Sequence, residues 1–449
     1  MGTMASRLPP GPRGLPFLGM ALQVRKDPLG MLLGLAREYG DIVCIPVIGQ
    51  NRILVNRPDY VQQVMLFQHS KFHKSELTRL AVGPLLGQGL LISEGDFWRR
   101  QRRLAQPAFH RSRTNAYAPA MLECAGKAAE SWRDGETRNM AEEMMKLTLE
   151  VAVRTLFGTT LPGEAEGVGR AMTFLMRYSL GRARAPWRIP RNWATPKNRR
   201  ANREFEFMDS LVYRIISERQ GQNGGHRNGD LLSLLMAAMD EDGSQMSPQQ
   251  LRDETMTLFV AGHETTALTL AWTWLLLSEN PEAEGRLHEE LKNALGGRSP
   301  EAADLERLPY LHAVVQESLR VYPPAYIMAR TSVAPVSLGG YEFAAGATVL
   351  ASQWVSHRDP RYFEEPEKFR PERWLDGLEE RLPAGAYFPF GDGPRRCIGQ
   401  GFALLESSLV LAEIAQKFRF RLAPGSQIVP EPLVTLRPRD GIPMTIHAR

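Results

Sequence analysis

Residues 388–399, FPFGDGPRRCIG, form a glycine-rich stretch that carries a cysteine and leads directly into an apolar run of good helix formers. The apolar run covers residues 401–418, so Cys397 is predicted to lie at or just before the N-terminus of a helix. The free N–H groups and the positive dipole end found there stabilise a thiolate. Gly393 and Gly399 allow the backbone to turn tightly beside a large flat group. The stretch therefore predicts a loop that presents a thiolate to a bound group.

The chemistry that fits these features is an axial thiolate ligand to haem iron. Arg395 lies two residues before the sulfur, where its guanidinium can meet an acidic propionate of the haem. The spacing F-x-x-G-x-R-x-C-x-G resembles the cysteine-ligand loop of the cytochrome P450 family. The alternative is a buried structural cysteine beside a Gly/Pro turn, the ordinary role of a single cysteine. The positions that carry the resemblance are Phe390, Gly393, Arg395, Cys397 and Gly399.

The resemblance extends from about Pro9 to the end of the chain and implies a mainly α fold with small β-sheets. In the cytochrome P450 fold, a triangular helical prism holds the haem between a long distal helix and the cysteine loop. The 449 residues contain no internal repeat, low-complexity tract or linker that would divide them. A single catalytic domain over residues 1–449 is therefore expected.

Cysteine usage and hydropathy bear on the cellular compartment. Cys44, Cys124 and Cys397 form no C-x-x-C pair, which argues against disulfides or structural zinc and for a reducing compartment. Residues 1–20 are a proline-rich segment without an apolar run of signal-peptide length, and the apolar run at 267–277 is too short to span a bilayer. No transmembrane anchor is expected, and the resemblance implies a soluble, cytoplasmic, bacterial-type enzyme.

Positive charge is concentrated in residues 96–109, DFWRRQRRLAQPAF, although the formal net charge of +5 is too small for a nucleic-acid-binding protein. Trp98 and Arg102 are spaced i, i+4 and would share one face of a helix. A solvated basic helix gives the same pattern. In the P450 family a W-x-x-x-R pair binds a haem propionate, and the resemblance implies this role here. An acidic electron-donor protein would be attracted to the other arginines, Arg99, Arg100 and Arg103.

A long helix is predicted to begin at the motif SPQQ, residues 247–250, where Ser is the N-cap, Pro the first helical residue and Gln reaches back. The centre of this helix, AGHETT at 261–266, places a glycine, an acid and two threonines in an otherwise apolar stretch. A central defect that weakens a helix requires a reason. His263 within it is interpreted as a structural or solvent-facing residue that points away from the iron.

The sequence A-G-x-[DE]-T-T is similar to the oxygen-activation motif of the P450 family. The resemblance implies that Glu264 and Thr265 are the catalytic residues, which deliver protons during O₂ activation. It also implies that Ala261 and Gly262 leave room for O₂ and substrate.

Glu317 and Arg320 form an i, i+3 pair on a predicted helix over 308–322. Such a pair is common on exposed helices and indicates no function by itself. The resemblance supplies a third member, Arg373 of the FRPERW segment, and implies a buried network that holds the backbone of the cysteine loop. The expected role is structural.

Residues 325–330 resemble a segment that passes over the haem in the family. The resemblance implies that Arg330 binds a haem propionate. The candidate substrate contacts are apolar and predict a lipophilic substrate such as a terpenoid, a fatty acid or a steroid-like compound. They are Phe259, Val260, Ala261, Gly262, Ala325, Ile327 and Met328.

Several connecting segments are also predicted. Strands over 41–47 and 52–55 form a hairpin, and residues 221–230 form a polar linker. Residues 75–93 are rich in Gly and Leu and predict a long loop, which by resemblance helps to enclose the substrate.

The predicted function is that of a haem-thiolate monooxygenase with haem b, iron protoporphyrin IX, that hydroxylates or epoxidises a lipophilic molecule with one oxygen atom of O₂. Electrons are expected from a separate ferredoxin or flavodoxin with its reductase, because the chain has no segment left for a flavin or iron–sulfur domain. One alternative is a haem-thiolate peroxygenase, isomerase or dehydratase. The other is a non-catalytic haem protein that binds a lipophilic ligand. The presence of both Glu264 and Thr265 disfavours peroxide use and the non-catalytic alternative.

Overall fold

The computed structural model describes residues 8–160, 163–185, 189–221, 230–237, 239 and 245–449. The chain divides into two compact units, each made of two separate stretches. Unit 1 comprises Met1–Thr78 and Gln316–Cys397, and unit 2 comprises Arg79–Val315 and Ile398–Arg449. The predicted linker over 221–230 lies outside the described residues except at its two ends. The single catalytic domain over the whole chain stays a prediction.

Helices predominate among the described residues, and the strands are short, as predicted for a mainly α fold with small β-sheets. The helices are α1 (Ala21–Lys26), α2 (Pro28–Tyr39), α3 (Pro58–Gln62), α4 (Glu76–Leu86), α5 (Gly95–Ala105), α6 (Arg111–Ala116), α7 (Ala118–Glu130), α8 (Met140–Leu156), α9 (Ala165–Arg184), α10 (Pro196–Gly221), α11 (Leu231–Ala237), α12 (Pro248–Glu279), α13 (Pro281–Leu295), α14 (Pro309–Val321), α15 (Gln353–Ser356), α16 (Glu372–Leu375), α17 (Leu378–Arg381) and α18 (Gln400–Ala415). The strands are β1 (Ile42–Val47), β2 (Gln50–Val55), β3 (Phe72–Lys74), β4 (Thr137–Asn139), β5 (Met328–Ser332), β6 (Val336–Leu338), β7 (Tyr341–Phe343), β8 (Thr348–Ala351), β9 (Phe418–Leu422), β10 (Pro430–Pro432), β11 (Leu436–Pro438) and β12 (Pro443–Ala448).

Unit 1 is built around a five-stranded sheet with the order β1-β2-β8-β5-β3. β1 and β2 form the predicted hairpin, whose turn places Ile48 and Gly49 at φ of 45° and 71°, as a tight two-residue hairpin turn requires. β2 and β8 are parallel, and the other pairs in this sheet are antiparallel. Nearly every residue of β1 is buried, so this strand is covered on both faces.

Unit 2 is organised around α12, a helix of 32 residues that is buried on all sides along most of its length. The predicted capping box is present, because Gln250 N–H donates to Ser247 Oγ at 3.2 Å and Ser247 N–H donates to Gln250 Oε1 at 2.7 Å. The indole N–H of the fully buried Trp272 donates to the carbonyl of Leu436 at 3.1 Å, which ties α12 to the β10-β11 hairpin. Unit 2 also contains a three-stranded sheet with the order β4-β12-β9.

The prediction of a long loop over 75–93 is wrong for the first part of this range, which forms the helix α4. Ser75 Oγ accepts the N–H of Thr78 at 3.2 Å and so caps the first turn. A buried stripe along α4 stabilises the helix despite Pro84, a residue that weakens helix interiors. Residues 87–93 alone form a loop. The buried stripe consists of Ala81, Val82, Leu85 and Leu86.

No helix in the described part of the chain is long and apolar enough to cross a membrane.

Candidate active site

The cysteine loop of unit 1 is closed by its own backbone and by glycines with left-handed conformations. Gly391 and Gly393 have φ of 75° and 64°, values that residues with side chains rarely adopt. A Cβ on Gly393 would also overlap the backbone carbonyl of Met65, so no side chain fits there. The N–H of Cys397 donates to the carbonyl of Phe390 at 2.9 Å. The loop therefore holds the cysteine backbone in one place.

Gly399 lies in a turn, as expected from the sequence, but this turn does not require a glycine. Its φ of −89° suits any residue, and a Cβ there would meet the Phe109 ring at 3.6 Å, an ordinary contact distance. Gly399 is instead the N-cap of α18, which begins at Gln400. Cys397 thus lies just before the start of a helix, as the hydrophobic pattern predicts.

Cys397 is the accessible thiol of the chain. Cys44 and Cys124 are buried, and burial raises the pKa of the Cys44 thiol and raises that of Cys124 to about 11. Among the residues that the structure describes, no group of three or more His, Cys, Asp or Glu side chains could hold a metal ion. One accessible thiol in a rigid loop fits a metal whose other ligands belong to a prosthetic group, as in haem-thiolate proteins.

The three residues of the predicted network come together in unit 1. Glu317 and Arg320 are fully buried, and Arg320 donates to both carboxylate oxygens of Glu317 at 2.8 Å. Arg373 Nε donates to Glu317 at 3.0 Å. Two further donors to Glu317 were not predicted: the indole N–H of Trp374 and the backbone N–H of Arg370, each at 2.8 Å. Five hydrogen bonds therefore compensate the burial of one carboxylate.

His357 links this network to the cysteine loop. Arg320 Nη1 donates to the backbone carbonyl of His357 at 2.9 Å. The ring Nε2 of His357 accepts the backbone N–H of Phe388, the first residue of the loop segment, at 3.0 Å. Burial and the charge of Arg320 lower the pKa of His357 well below its ordinary value, so the ring is neutral and can accept this bond. His357 was not predicted from the sequence, because no nearby residue indicates its role in this connection.

The predicted propionate ligands lie in both units. In unit 1, Arg330 is a buried residue of β5, and Arg395 is half-buried in a 3₁₀ turn over Gly393–Arg395. In unit 2, Trp98 is buried on α5, and Arg102 is half-buried one turn later on the same helix. Their i, i+4 spacing on one helix was predicted and is observed.

The centre of α12 has an open face. Helix residues before and after it are buried, whereas Ala261 is exposed and Gly262 and Thr265 are partly accessible. The hydroxyl of Thr265 donates to the carbonyl of Ala261 at 3.0 Å. This bond leaves the oxygen lone pairs of Thr265 available on the open face.

Two predicted substrate contacts on α12, Phe259 and Val260, are buried. Phe259 is fully buried, and its ring stacks on Phe157 with a centroid separation of 5.9 Å. It is 200° around the helix from Ala261 at 100° per residue. The role of Phe259 as a substrate contact stays a prediction. Val260 is also buried.

His263 lies on the same side of the helix as Phe259, and its Nδ1 is 2.8 Å from the Phe259 carbonyl oxygen. His263 is buried, so it is structural rather than solvent-facing.

Glu264 is buried and held by the C-terminal segment of unit 2. Arg437 donates to its Oε1, and so does the Thr435 hydroxyl at 2.6 Å. No described residue hydrogen-bonds its Oε2. Sequence reasoning missed both partners, which are more than 170 residues away and carry no local signal.

The remaining substrate candidates belong to unit 1. Ala325, Ile327 and Met328 are each partly accessible, and Met328 is the first residue of β5. A Cβ on Gly391 would lie 2.8 Å from Cε of Met328, so this side chain packs against the cysteine loop.

Comparison with known proteins places these features in a family. The family model described as Cytochrome P450 matches residues 9–442. The chain is 37% identical over 428 residues to cyclooctatin synthase of Streptomyces melanosporofaciens, covering 95% of this chain and 92% of the relative. It is 38% identical over 421 residues to cyclooctat-9-en-7-ol 5-monooxygenase of the same organism, covering 93% and 90%. It is 32% identical over 426 residues to pentalenene oxygenase of Streptomyces avermitilis, covering 95% and 94%. The chain therefore belongs to the cytochrome P450 family and is a monooxygenase of the haem-thiolate type, which uses O₂ and electrons from a redox partner.

Proposed function

We propose that this P450 oxidises a terpenoid, by hydroxylation or epoxidation of an apolar hydrocarbon skeleton. The observation that carries this proposal is the open face of α12, which offers Ala261, Gly262 and one hydroxyl, that of Thr265, and no charged group. The acid of the same turn, Glu264, is buried against Arg437. A site with these groups suits a substrate that brings no charge. Three similar proteins bear names that contain cyclooctatin, cyclooctat-9-en-7-ol and pentalenene, which supports the terpenoid class.

We further propose that the cofactor is haem b, bound without a covalent link. Cys397 would supply the thiolate ligand, and the chain has no C-x-x-C-H motif for covalent attachment. When bound, haem with a thiolate ligand supplies an electron-rich iron that activates O₂. The propionates would be held by hydrogen-bond donors and cations from Trp98, Arg102, Arg330 and Arg395.

Two residues of α12 would handle protons. The Thr265 hydroxyl donates to the Ala261 carbonyl at 3.0 Å and can turn its proton toward the open face. Glu264 Oε2 is the carboxylate atom that has no hydrogen-bond donor among the described residues, so it is the atom available to take a proton. Arg437 and Thr435 would keep the other oxygen fixed while this happens.

The electron donor would be a separate ferredoxin or flavodoxin with its reductase. Arg99 and Arg103 are exposed on α5 and Arg100 is half-buried, so this helix offers positive charge to an acidic partner. Arg99 also pairs with Asp96, which reduces the positive charge of this surface.

Turnover under ¹⁸O₂ with a surrogate ferredoxin and reductase would test the proposed function. We expect one ¹⁸O atom in the product from cyclic terpene hydrocarbons or their alcohols, and little conversion of fatty acids, steroids or charged hydrophilic compounds. The turnover rate should fall with rising ionic strength if the electron-donor protein binds through attraction between opposite charges. Conversion of charged compounds alone would contradict the substrate class, and a rate independent of salt would contradict docking at α5.

The Thr265→Ala variant tests the proton-handling role. Substrate binding and the haem spectrum should stay as in the wild type, because Thr265 is not proposed to hold either group. Product formation should fall on the order of 10²-fold, while consumption of NADPH continues and yields peroxide. Product and peroxide are measured against NADPH consumed. The Thr265→Ser variant, which keeps the hydroxyl, is the matched control and should recover most of the product. Full coupling in Thr265→Ala would refute the role.

A further inference from the structure

A cleft on unit 2 lies between the helix α13 and the strand β9, and charged side chains supply most of its lining. Its volume is about 460 Å³. β9 is the last strand in the order β4-β12-β9, so the cleft runs along an edge of this sheet. None of its lining residues belongs to the proposed haem or oxygen-activation sites. The cleft is therefore a separate feature of the molecule.

Three guanidinium groups reach the cleft from the sheet. Arg419 and Arg421 are two residues apart on β9, so they share one face of the strand, while Phe420 between them is buried on the other. Arg449 follows β12, where its Nη1 donates to the carbonyl of Ala415 at 3.0 Å. Cations on an edge strand also discourage pairing with other chains.

The opposite wall is one ridge of α13. Glu284, His288 and Lys292 are successive i, i+4 members of this ridge. Glu284 is occupied by Arg421, which donates to its two carboxylate oxygens at 2.9 and 2.6 Å. In the part of the chain that the structure describes, no acid pairs with Lys292, Arg419 or Arg449.

The lining carries more positive than negative charge. Four cations line the cleft against two acids, which leaves an excess of two positive charges. The second acid, Glu289, is exposed at the surface. A phosphate group carries a charge of roughly −1.5 to −2 at pH 7, so one such group would balance this excess.

His288 distinguishes the cleft from an ordinary basic surface. Its side chain lines the cleft and is 8% exposed, yet none of the described residues forms a hydrogen bond with either ring nitrogen. Burial, followed by the charge of Arg449, lowers the pKa of His288 to about 4, although Glu284 opposes this effect. The neutral ring has one N–H to donate, and buried donors normally have an acceptor. Protection of an edge strand would not require this residue.

We propose that this cleft binds the phosphate group of a small soluble molecule. Arginines bind phosphate oxygens through paired hydrogen bonds, and His288 would donate a further one. The volume of the cleft is within the range of small-molecule sites and leaves room for the rest of the ligand. No large apolar side chain is exposed on the described residues of α13, β9 or β12, so this face is unsuited to insertion into a lipid surface.

Calorimetric titration of the purified protein with pyrophosphate, at constant ionic strength, tests this proposal. We expect binding by the wild type and roughly tenfold weaker binding by Arg419→Gln and by Lys292→Gln, the loss expected for one hydrogen bond to a charged group. Both side chains are exposed, so neither variant should unfold. Arg286→Gln is the matched control, because it removes the same charge from α13 but from a guanidinium that packs on the Tyr310 ring, with 4.7 Å to the centroid. It should bind pyrophosphate as the wild type does.

A pair of variants at His288 separates a built site from general attraction between charges. His288→Leu removes the N–H without changing the charge and should weaken binding roughly threefold to tenfold. His288→Gln keeps a donor and should bind nearly as tightly as the wild type. Thermal melting shows whether each variant is folded, and the two exposed variants decide the matter if His288→Leu is not.

Three results would overturn the proposal. They are no binding of millimolar pyrophosphate by the wild type, equal weakening in Arg286→Gln and Arg419→Gln, and wild-type affinity in folded His288→Leu. The titrations use no terpenoid and no electron donor, so their outcome is independent of the proposed function.

Discussion

The ferrous carbonyl form of the Cys397→Ser variant is expected to lack the red-shifted Soret band that a thiolate ligand gives, and monooxygenase activity should be lost with it. An alkoxide or neutral hydroxyl donates less electron density to iron than a thiolate does. Neither of the other cysteines can substitute, because Cys44 and Cys124 are buried and the pKa of each thiol is raised. The measurement is the absorbance spectrum of the dithionite-reduced protein under carbon monoxide.

Cys44→Ala and Cys124→Ala are the matched controls for this experiment. Each removes a thiol without touching the loop over 388–399, so each should keep the wild-type band position. If Cys397→Ser kept the red-shifted band, or if one of the two controls lost it, the assignment of Cys397 as the haem ligand would be wrong.

Replacement of Glu317 by alanine should destabilise the protein by about 3–5 kcal/mol, because it leaves the buried guanidinium of Arg320 without its partner. The free energy of unfolding in urea measures this loss. The loop that carries Cys397 should also be held less firmly, since Arg320 and His357 connect the network to Phe388. We therefore expect the soluble fraction of the variant to bind less haem than the wild type.

Glu306→Ala is a control of the same chemistry at the surface. Glu306 pairs with Arg111 at 3.0 Å, but both side chains are at least 75% exposed, so its loss should cost less than about 1 kcal/mol. A similar loss of stability in the two variants would show that burial of the Glu317 network does not matter.

The same carboxylate predicts a dependence of stability on pH. Burial opposes ionisation of Glu317, but Arg320 and Arg373 outweigh this effect and lower its pKa below 4.5. A depressed pKa in the folded state stabilises the protein above the unfolded pKa, and this contribution is lost as the pH falls through the folded value. Glu317→Gln should therefore lose less stability on acidification below about pH 4.5 than the wild type.

Features encoded by residues close together in sequence were predictable. The capping box of Ser247 and Gln250 lies within one turn, and so does the pair Glu317 and Arg320. The hairpin of β1 and β2 follows from alternating hydrophobic runs around Gly49. Each of these needs only local geometry, which the order of residue types expresses directly.

Features that depend on distant residues were not predictable from the sequence. Arg437 binds Glu264 across 173 positions, and Glu254 accepts the N–H of Leu90 across 164. No residue close in sequence to Glu264 or Glu254 indicates which distant residue forms the hydrogen bond with it. The helix α4 was missed for a related reason: Pro84 and its neighbouring glycines indicate a loop locally, whereas burial of the apolar stripe decides the outcome.

Unit 1 is completed late during synthesis, because β2 pairs in parallel with β8 and Arg52 lies opposite Thr348. A ribosome that adds roughly 5–20 residues per second needs roughly 15–60 s to make the about 300 residues between them. Until then the first hairpin emerges with an open, apolar edge that other nascent chains can join. The yield of protein in a heterologous host should therefore depend on chaperone capacity and translation rate more than on the stability of the finished molecule.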